Sequence, residues 1–357
     1  MKEIKSKDIA FSYAGSIVGA GFLSGQELWQ FFGSYGKWGL VGFFLSLILQ
    51  IALCSVIFIF ARRSQIKEFD ILIAPNSKIA RWIFVFFELF FIFGVVMIMY
   101  AGVGPLLKTV FNISEFWGSL IFAIIVTLVT FCGLGKIVEI LGYTIPVLTV
   151  VTLIISVLAF NKYGFPNVAN SVVTGKTMLM PNFVVAFILF GVHNIFCILG
   201  MLVPLGNSMK DDSCAIKGMS LSSIVLTLIT FSVLLPIYSA PEYASYDLPM
   251  LELTKNISAP LFFIYGILLL VGMFGSATSH FISVIDFTCK KSATFNKYKL
   301  FIITGISVLA FVLSRFGFAE LISVMYPLSG YIGVVALGLI IYYFIKFNKK
   351  QKNNPPK

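Results

Sequence analysis

Charge is scarce in this chain and histidine nearly absent. Of 357 residues only 11% are Asp, Glu, Lys or Arg, and the two histidines are His193 and His280. A soluble protein of this length needs far more charge to cover its surface, so a water-soluble globular fold is excluded. Five cysteines (Cys54, Cys132, Cys197, Cys214 and Cys289) show no metal-ligand spacing, and two histidines are too few for a zinc enzyme. These thiols are expected to be free in a reducing compartment. No Ser/Lys, paired-Asp or metal constellation is apparent either, so no enzyme is expected.

What is present is apolar. The composition is 59% hydrophobic with 38 phenylalanines. Ten apolar runs long enough to cross about 30 Å of hydrocarbon lie near 8–34, 38–61, 79–104, 117–134, 137–160, 181–205, 216–238, 259–286, 298–314 and 319–346. No soluble domain or long linker interrupts them, so residues 1–357 read as one membrane domain with a basic tail over 347–357. The formal net charge of +11 does not point to nucleic acid, because its placement is asymmetric. With the N-terminus inside, 20 of the 26 Lys and Arg residues fall on the inner side, leaving Lys37, Lys108, Lys162, Lys176, Lys255 and Arg315 outside. That asymmetry predicts both termini in the cytoplasm of a cell-membrane protein.

Segment one contains an energetic anomaly. Gly15, Gly19, Gly21 and Gly25 weaken a helix, each by about 1 kcal/mol relative to alanine, and Gln26 and Glu27 follow. A carboxylate at bilayer depth costs several kcal/mol unless paired or hydrated. Irregular backbone survives there only when buried in protein or lining a cavity. A discontinuous helix built around a ligand is the reading that satisfies both facts.

Ten segments divide into five and five, and an odd repeat unit inserts the second half upside down. The expected architecture is an all-α integral membrane protein of about ten transmembrane helices. They form a five-plus-five inverted repeat, approximately 8–160 and 181–346, with discontinuous helices one and six. Segment six places Phe190, Gly191, His193 and Asn194 near its middle. Gly191 is expected to permit unwinding. His193 and Asn194 are read either as ligands or as bonds to neighbouring helices. Segment eight carries Gly275, Ser276, Thr278, Ser279 and His280. Its hydroxyls offer hard oxygens for a small alkali cation, completed by carbonyls freed in segment one.

At these residues the chain resembles the amino acid–polyamine–organocation superfamily, with its leucine-transporter-like fold. Gly19 to Glu27 looks most like the YkvI-like family of bacterial membrane proteins. The resemblance implies an Na⁺ site between segments one and eight. Gly15, Val18, Gly19 and Gly21 match the sodium-coupled pattern of segment one, and Gly275, Thr278 and Ser279 match that of segment eight. Carbonyls of Gly15, Val18 and Gly275 with the hydroxyls of Thr278 and Ser279 would surround the ion. Some uncoupled or proton-linked relatives place a lysine of segment five in that space. Here Thr144-Ile145-Pro146 stands at its middle and Lys136 at its end, which favours Na⁺.

Substrate is expected between the two breaks, at Gly19, Ala20, Gly21, Phe22, Gln26 and Glu27 of segment one and Phe190, Gly191, His193 and Asn194 of segment six. Amides around Ala20 to Phe22 begin a half-helix whose positive end suits a carboxylate. Glu27 is open to three readings: binding a substrate amine, carrying a coupling proton, or bonding a facing helix. Glu88, among the aromatics of segment three, is a second proton-relay candidate. Its alternative is a structural tie to His193, His280 or a segment-eight hydroxyl. The expected function is secondary transport of a small amine-bearing or zwitterionic solute through the lipid bilayer, coupled to Na⁺. H⁺ coupling, or a ligand sensor retaining the transporter fold, is the alternative.

Overall fold

A computed structural model describes residues 4–132, 144–168, 177–291 and 297–353. Lys136 lies outside them. The chain is an all-α membrane protein, and its helices follow the hydropathy of the sequence closely. Segment one comprises α1 (Ser6–Ile17), α2 (Ala20–Ser24) and α3 (Gln26–Phe31). Segments two to five are α4 (Lys37–Ser64), α6 (Lys78–Phe111), α7 (Glu115–Cys132) and α8 (Thr144–Tyr163), with a short α5 (Phe69–Ile73) after α4. Segment six is α9 (Phe183–Phe196) and α10 (Leu199–Asn207); segment seven is α11 (Ser213–Ser239). A peripheral α12 (Pro249–Ile257) precedes segments eight to ten, α13 (Ala259–Lys291), α14 (Lys299–Ser314) and α15 (Phe318–Asn353).

Six of these helices are individually long and apolar enough to span a membrane, and α9 with α10 forms a further span bent by 62°. Segment one, in three pieces, and the shorter apolar α7 and α14 complete the ten. Large apolar side chains such as Ile224 (67% exposed), Leu128 (58%) and Val312 (56%) point outward where a soluble protein would place charge, as lipid-facing surfaces do.

Helix boundaries follow local chemistry. The Ser77 hydroxyl accepts from the Ala80 amide to start α6, and the Asn182 side chain accepts from the Val184 and Val185 amides to start α9. At the other end Asn112 and Gln65 adopt left-handed backbone to close α6 and α4.

Segment three is central, packed by α6 against α7, α13, α14 and α15. Segment two lies against both halves of segment six and against α11, while α1 lies along α11. At the face bearing both termini, Ile4 bridges to Ser208 and Lys210 through backbone hydrogen bonds. Arg62 (3.0 Å) and Arg63 (2.6 Å) pair with Asp212, and the Asn207 amide donates to the Ile66 carbonyl. These bonds tie segments one, two, six and seven into one group. At the opposite face Tyr238 donates to the Gly36 carbonyl (3.0 Å) and Gln30 to the Ala319 carbonyl (2.9 Å). Segment one is thereby held to segments seven and ten.

Candidate functional site: the broken centres of segments one and six

Segment one breaks twice, where a single break was expected. α1 runs regularly to the Val18 amide, which bonds the Ala14 carbonyl at 2.9 Å. The Gly19 amide then turns to the Ile17 carbonyl (2.7 Å) instead of that of Gly15. The Gly15 carbonyl thereby loses the donor a continuous helix would give it, and the first amides of α2 have no intrahelical acceptor. The second break is at Gly25, whose φ of +90° ends α2 and redirects α3. A Cβ there would stand 2.5 Å from Ile237 Cδ1, so both the backbone angle and the space call for glycine. In one continuous helix Glu27 would sit more than a turn beyond Gly21. The Gly25 turn instead brings its Oε2 to 3.5 Å from the position a Gly21 Cβ would occupy.

The break in segment six is not at Gly191, which lies inside the regular helix α9. Gly191 serves close packing, since an added Cβ would meet Leu49 Cδ2 at 3.3 Å and the Ser46 carbonyl at 3.5 Å on segment two. The chain bends instead after Cys197. The Ile198 amide bonds the Ile195 carbonyl rather than that of Asn194, and α10 starts afresh at Leu199. The two breaks meet there, with Ser16 Oγ 3.1 Å from Met201 Sδ.

Two buried glutamates face this region. Glu27 is 4% exposed and makes no hydrogen bond or ion pair among the described residues. The Tyr326 hydroxyl lies 3.6 Å from the same Gly21 position. Glu88 is bonded to none of the partners considered for it, His193, His280 or a segment-eight hydroxyl. Its carboxyl lies against the first turn of α10, with Oε1 3.5 Å from where a Gly200 Cβ would be. Segment three therefore caps the second half of segment six, a site where an acidic group is favoured by the helix end. Both carboxyls are within electrostatic range of the Cys197 thiol.

The Glu88 cap carries a stability prediction. Glu88→Leu strands the Gly200 N–H in an apolar interior, so it should lower unfolding free energy by about 1–3 kcal/mol. Glu88→Gln retains an acceptor and should recover most of that loss. Detergent-solubilised protein unfolded with SDS reads the difference.

His193 bonds the Ser329 hydroxyl through Nδ1 and stacks on Tyr326, with centroids 4.3 Å apart. The Cys197 thiol is 3.4 Å from the same nitrogen. Asn194 donates to the Phe190 carbonyl one turn back. Phe190 packs edge-on to Phe31 (5.3 Å) and Phe32 (4.7 Å), and Phe22 is fully buried. Gln26 is buried with an unpartnered Oε1. Ser276 and His280 bond each other's turn of α13.

The expected ion ligands divide into two groups. Thr278 is fully buried and its Oγ1 has no hydrogen-bond partner. Gly275 and Ser279 are half-buried beside it. Gly15 is exposed, with no atom within 4 Å of an added Cβ, whereas Val18 is buried. Segment eight packs against segment one at α2, while α1 lies along α11. No hydrogen bond joins Gly15 or Val18 to the segment-eight residues. Among the described residues no three His, Cys, Asp or Glu side chains gather as a metal site.

Sequence reading missed Tyr326, Ser329, Cys197 and Met201. A Tyr-Pro pair with Ser329 two residues on, inside the apolar run of segment ten, was the available signal.

The fold and these breaks can be compared with known proteins. No family model matches the chain. The membrane protein YkvI of Bacillus subtilis (strain 168) is 26% identical over 338 residues, covering 94% of this chain and 95% of the relative. The chain is similar to YkvI over nearly its whole length. YyaD of the same organism is 23% identical over 344 residues, covering 92% and 94%. Among solved structures, inward-facing Mhp1 superposes with a TM-score of 0.64 at 13% identity, covering 95% of this chain and 76% of that one. MhsT bound to L-phenylalanine gives 0.64 at 16% identity, covering 93% and 89%. A mutant manganese transporter of Eremococcus coleocola gives 0.59 at 14%, covering 94% and 78%. These structures show the leucine-transporter-like fold of the chain, with segments one and six as its discontinuous helices.

Proposed function

We propose that this YkvI-like protein is a secondary transporter of a small amine-bearing organic solute, working by alternating access around the two breaks. The observation that carries the reading is Glu27, a carboxyl buried at the first break with no protein partner, beside Gly21 and the Tyr326 hydroxyl. Such a group costs several kcal/mol at bilayer depth unless something pairs with it. A bound ammonium supplies that pairing during the transport cycle. The segments tied together by the Ile4 bridge and the Arg62/Arg63–Asp212 pairs form the body that rocks against segments three, eight and nine. Positive charge at that face supports a cytoplasmic position for both termini.

Coupling to Na⁺ belongs to the same proposal. The unpartnered Thr278 hydroxyl, with Ser279 and the Gly275 carbonyl, supplies one side of the shell, and carbonyls of Gly15 and Val18 the other. Neutral oxygens suit a hard monovalent cation, and closing the shell requires segment one to approach segment eight.

A thermal-shift screen of purified protein against amino acids, polyamines and betaines, with and without Na⁺, tests both parts by linkage. At least one amine-bearing compound is expected to raise Tm, and Na⁺ to strengthen that shift. In a Thr278→Ala/Ser279→Ala double variant the Na⁺ effect should vanish while the solute still binds. Unchanged Na⁺ stabilisation in that variant would place the ion elsewhere.

A further inference from the structure

The transport reading leaves the charge type of the solute open, and the two breaks narrow it. In a broken-helix site a substrate carboxylate is normally welcomed by the positive N-terminal end of a half-helix. Here the protein's own carboxyls already stand at both such ends. Glu88 reaches across from α6 and sets its carboxyl beside Gly200 at the start of α10. Glu27, folded back by the Gly25 turn, holds Oε2 beside Gly21 in the first turn of α2. A solute carboxylate approaching either end finds the place already taken by a side-chain carboxyl.

No basic side chain pairs with either carboxyl among the described residues. Among the described residues every ion pair lies toward the membrane faces: Arg62 and Arg63 with Asp212, Lys108 with Glu115, and Lys255 with Glu252. None reaches Glu27 or Glu88. Glu27 is more than nine-tenths buried and unpartnered, and its Oε2 and the Tyr326 hydroxyl both stand beside Gly21, at 3.5 and 3.6 Å from the position of an added Cβ. One carboxyl beside stacked Tyr326 and His193 rings is poor equipment for a bare metal ion, whose ligand count it cannot meet. It suits a weakly hydrated ammonium, which gains from a carboxylate and a hydroxyl acceptor together.

We propose that the solute is an organic cation lacking a carboxylate, an amine rather than an amino acid, held by Glu27 with Tyr326. This rests on the transport reading of the same site and deepens it.

Two measurements test it. The first compares matched pairs by thermal shift at fixed Na⁺: phenethylamine with phenylalanine, cadaverine with lysine, and agmatine with arginine. An amine is expected to bind at least ten-fold more tightly than its parent amino acid, and Glu27→Gln to remove its shift. An amino acid binding as tightly as its amine overturns the proposal.

The second needs no knowledge of the solute. Cys197 is partly exposed at the break and lies within electrostatic range of both glutamates. In a variant with Cys54, Cys132, Cys214 and Cys289 replaced, its labelling rate by a cationic methanethiosulfonate is divided by the rate for an anionic one. The same ratio for 2-mercaptoethanol normalises it and removes the thiol's own reactivity. A cationic bias of at least ten-fold is expected, falling several-fold in Glu27→Gln. No bias, or an anionic one, overturns the proposal. Amine binding without flux would sink the transport reading alone, and flux of an amino acid in preference to its amine would sink this one alone.

Discussion

Glu27→Gln should abolish saturable uptake of an amine-bearing solute at low concentration while leaving the protein folded. A hydrogen-bonded contact to a charged group is worth about 1.5–3 kcal/mol, so affinity should fall by about 10- to 100-fold. The sign of the stability change separates a binding role from a structural one. Glu27 has no protein partner to lose, and an unpaired buried carboxyl is itself a burden. The glutamine variant should therefore match the parent in Tm without ligand, or exceed it. A structural carboxyl behaves in the opposite way, as Glu88 should on truncation to leucine. Loss of uptake accompanied by a large drop in ligand-free Tm would mean that Glu27 braces segment ten through Tyr326 and does not meet the solute.

Gly25→Ala should be strongly damaging, through both backbone and space. Its left-handed backbone costs an L-residue about 1–2 kcal/mol, and crowding against Ile237 adds about 1–3 kcal/mol. A total near 2–5 kcal/mol is expected in SDS unfolding, with uptake lost because Glu27 moves with α3. The companion Ile237→Ala opens the space that the new methyl needs. The double variant should recover the crowding part and retain the backbone part, giving a clear favourable coupling. A Gly25→Ala protein with native stability would show that α2 and α3 can run on as one helix.

Much of this was legible in the residues. Ten apolar runs gave the spans because hydrophobic length is set by the bilayer and needs no knowledge of packing. Four glycines with Gln26 and Glu27 marked segment one as broken because lipid penalises both features. The number and place of the breaks were less legible. Gly191 looked like a hinge, yet a glycine inside a helix is equally a place where another helix comes close, and only the position of Ser46 and Leu49 distinguishes the two. The actual bend falls at Cys197 and Ile198, residues with no breaker signature, and Glu88, far earlier in the chain, lies against the helix that restarts there. Tertiary partners of that kind leave no local trace. His193 stood out in sequence through its rarity in a span, while Tyr326 and Ser329, which receive it, are ordinary residues in an apolar run.

The central claim is that the chain moves a cationic solute, and counterflow tests it most directly. Proteoliposomes are loaded with an unlabelled amine found by the thermal-shift screen, diluted into the same amine carrying a radiolabel, and sampled over minutes. The account predicts transient accumulation of label above equilibrium, retained with the parent protein and absent with Glu27→Gln. Saturable binding of the amine with no counterflow would contradict it, and would make the protein a membrane sensor built on a transporter fold.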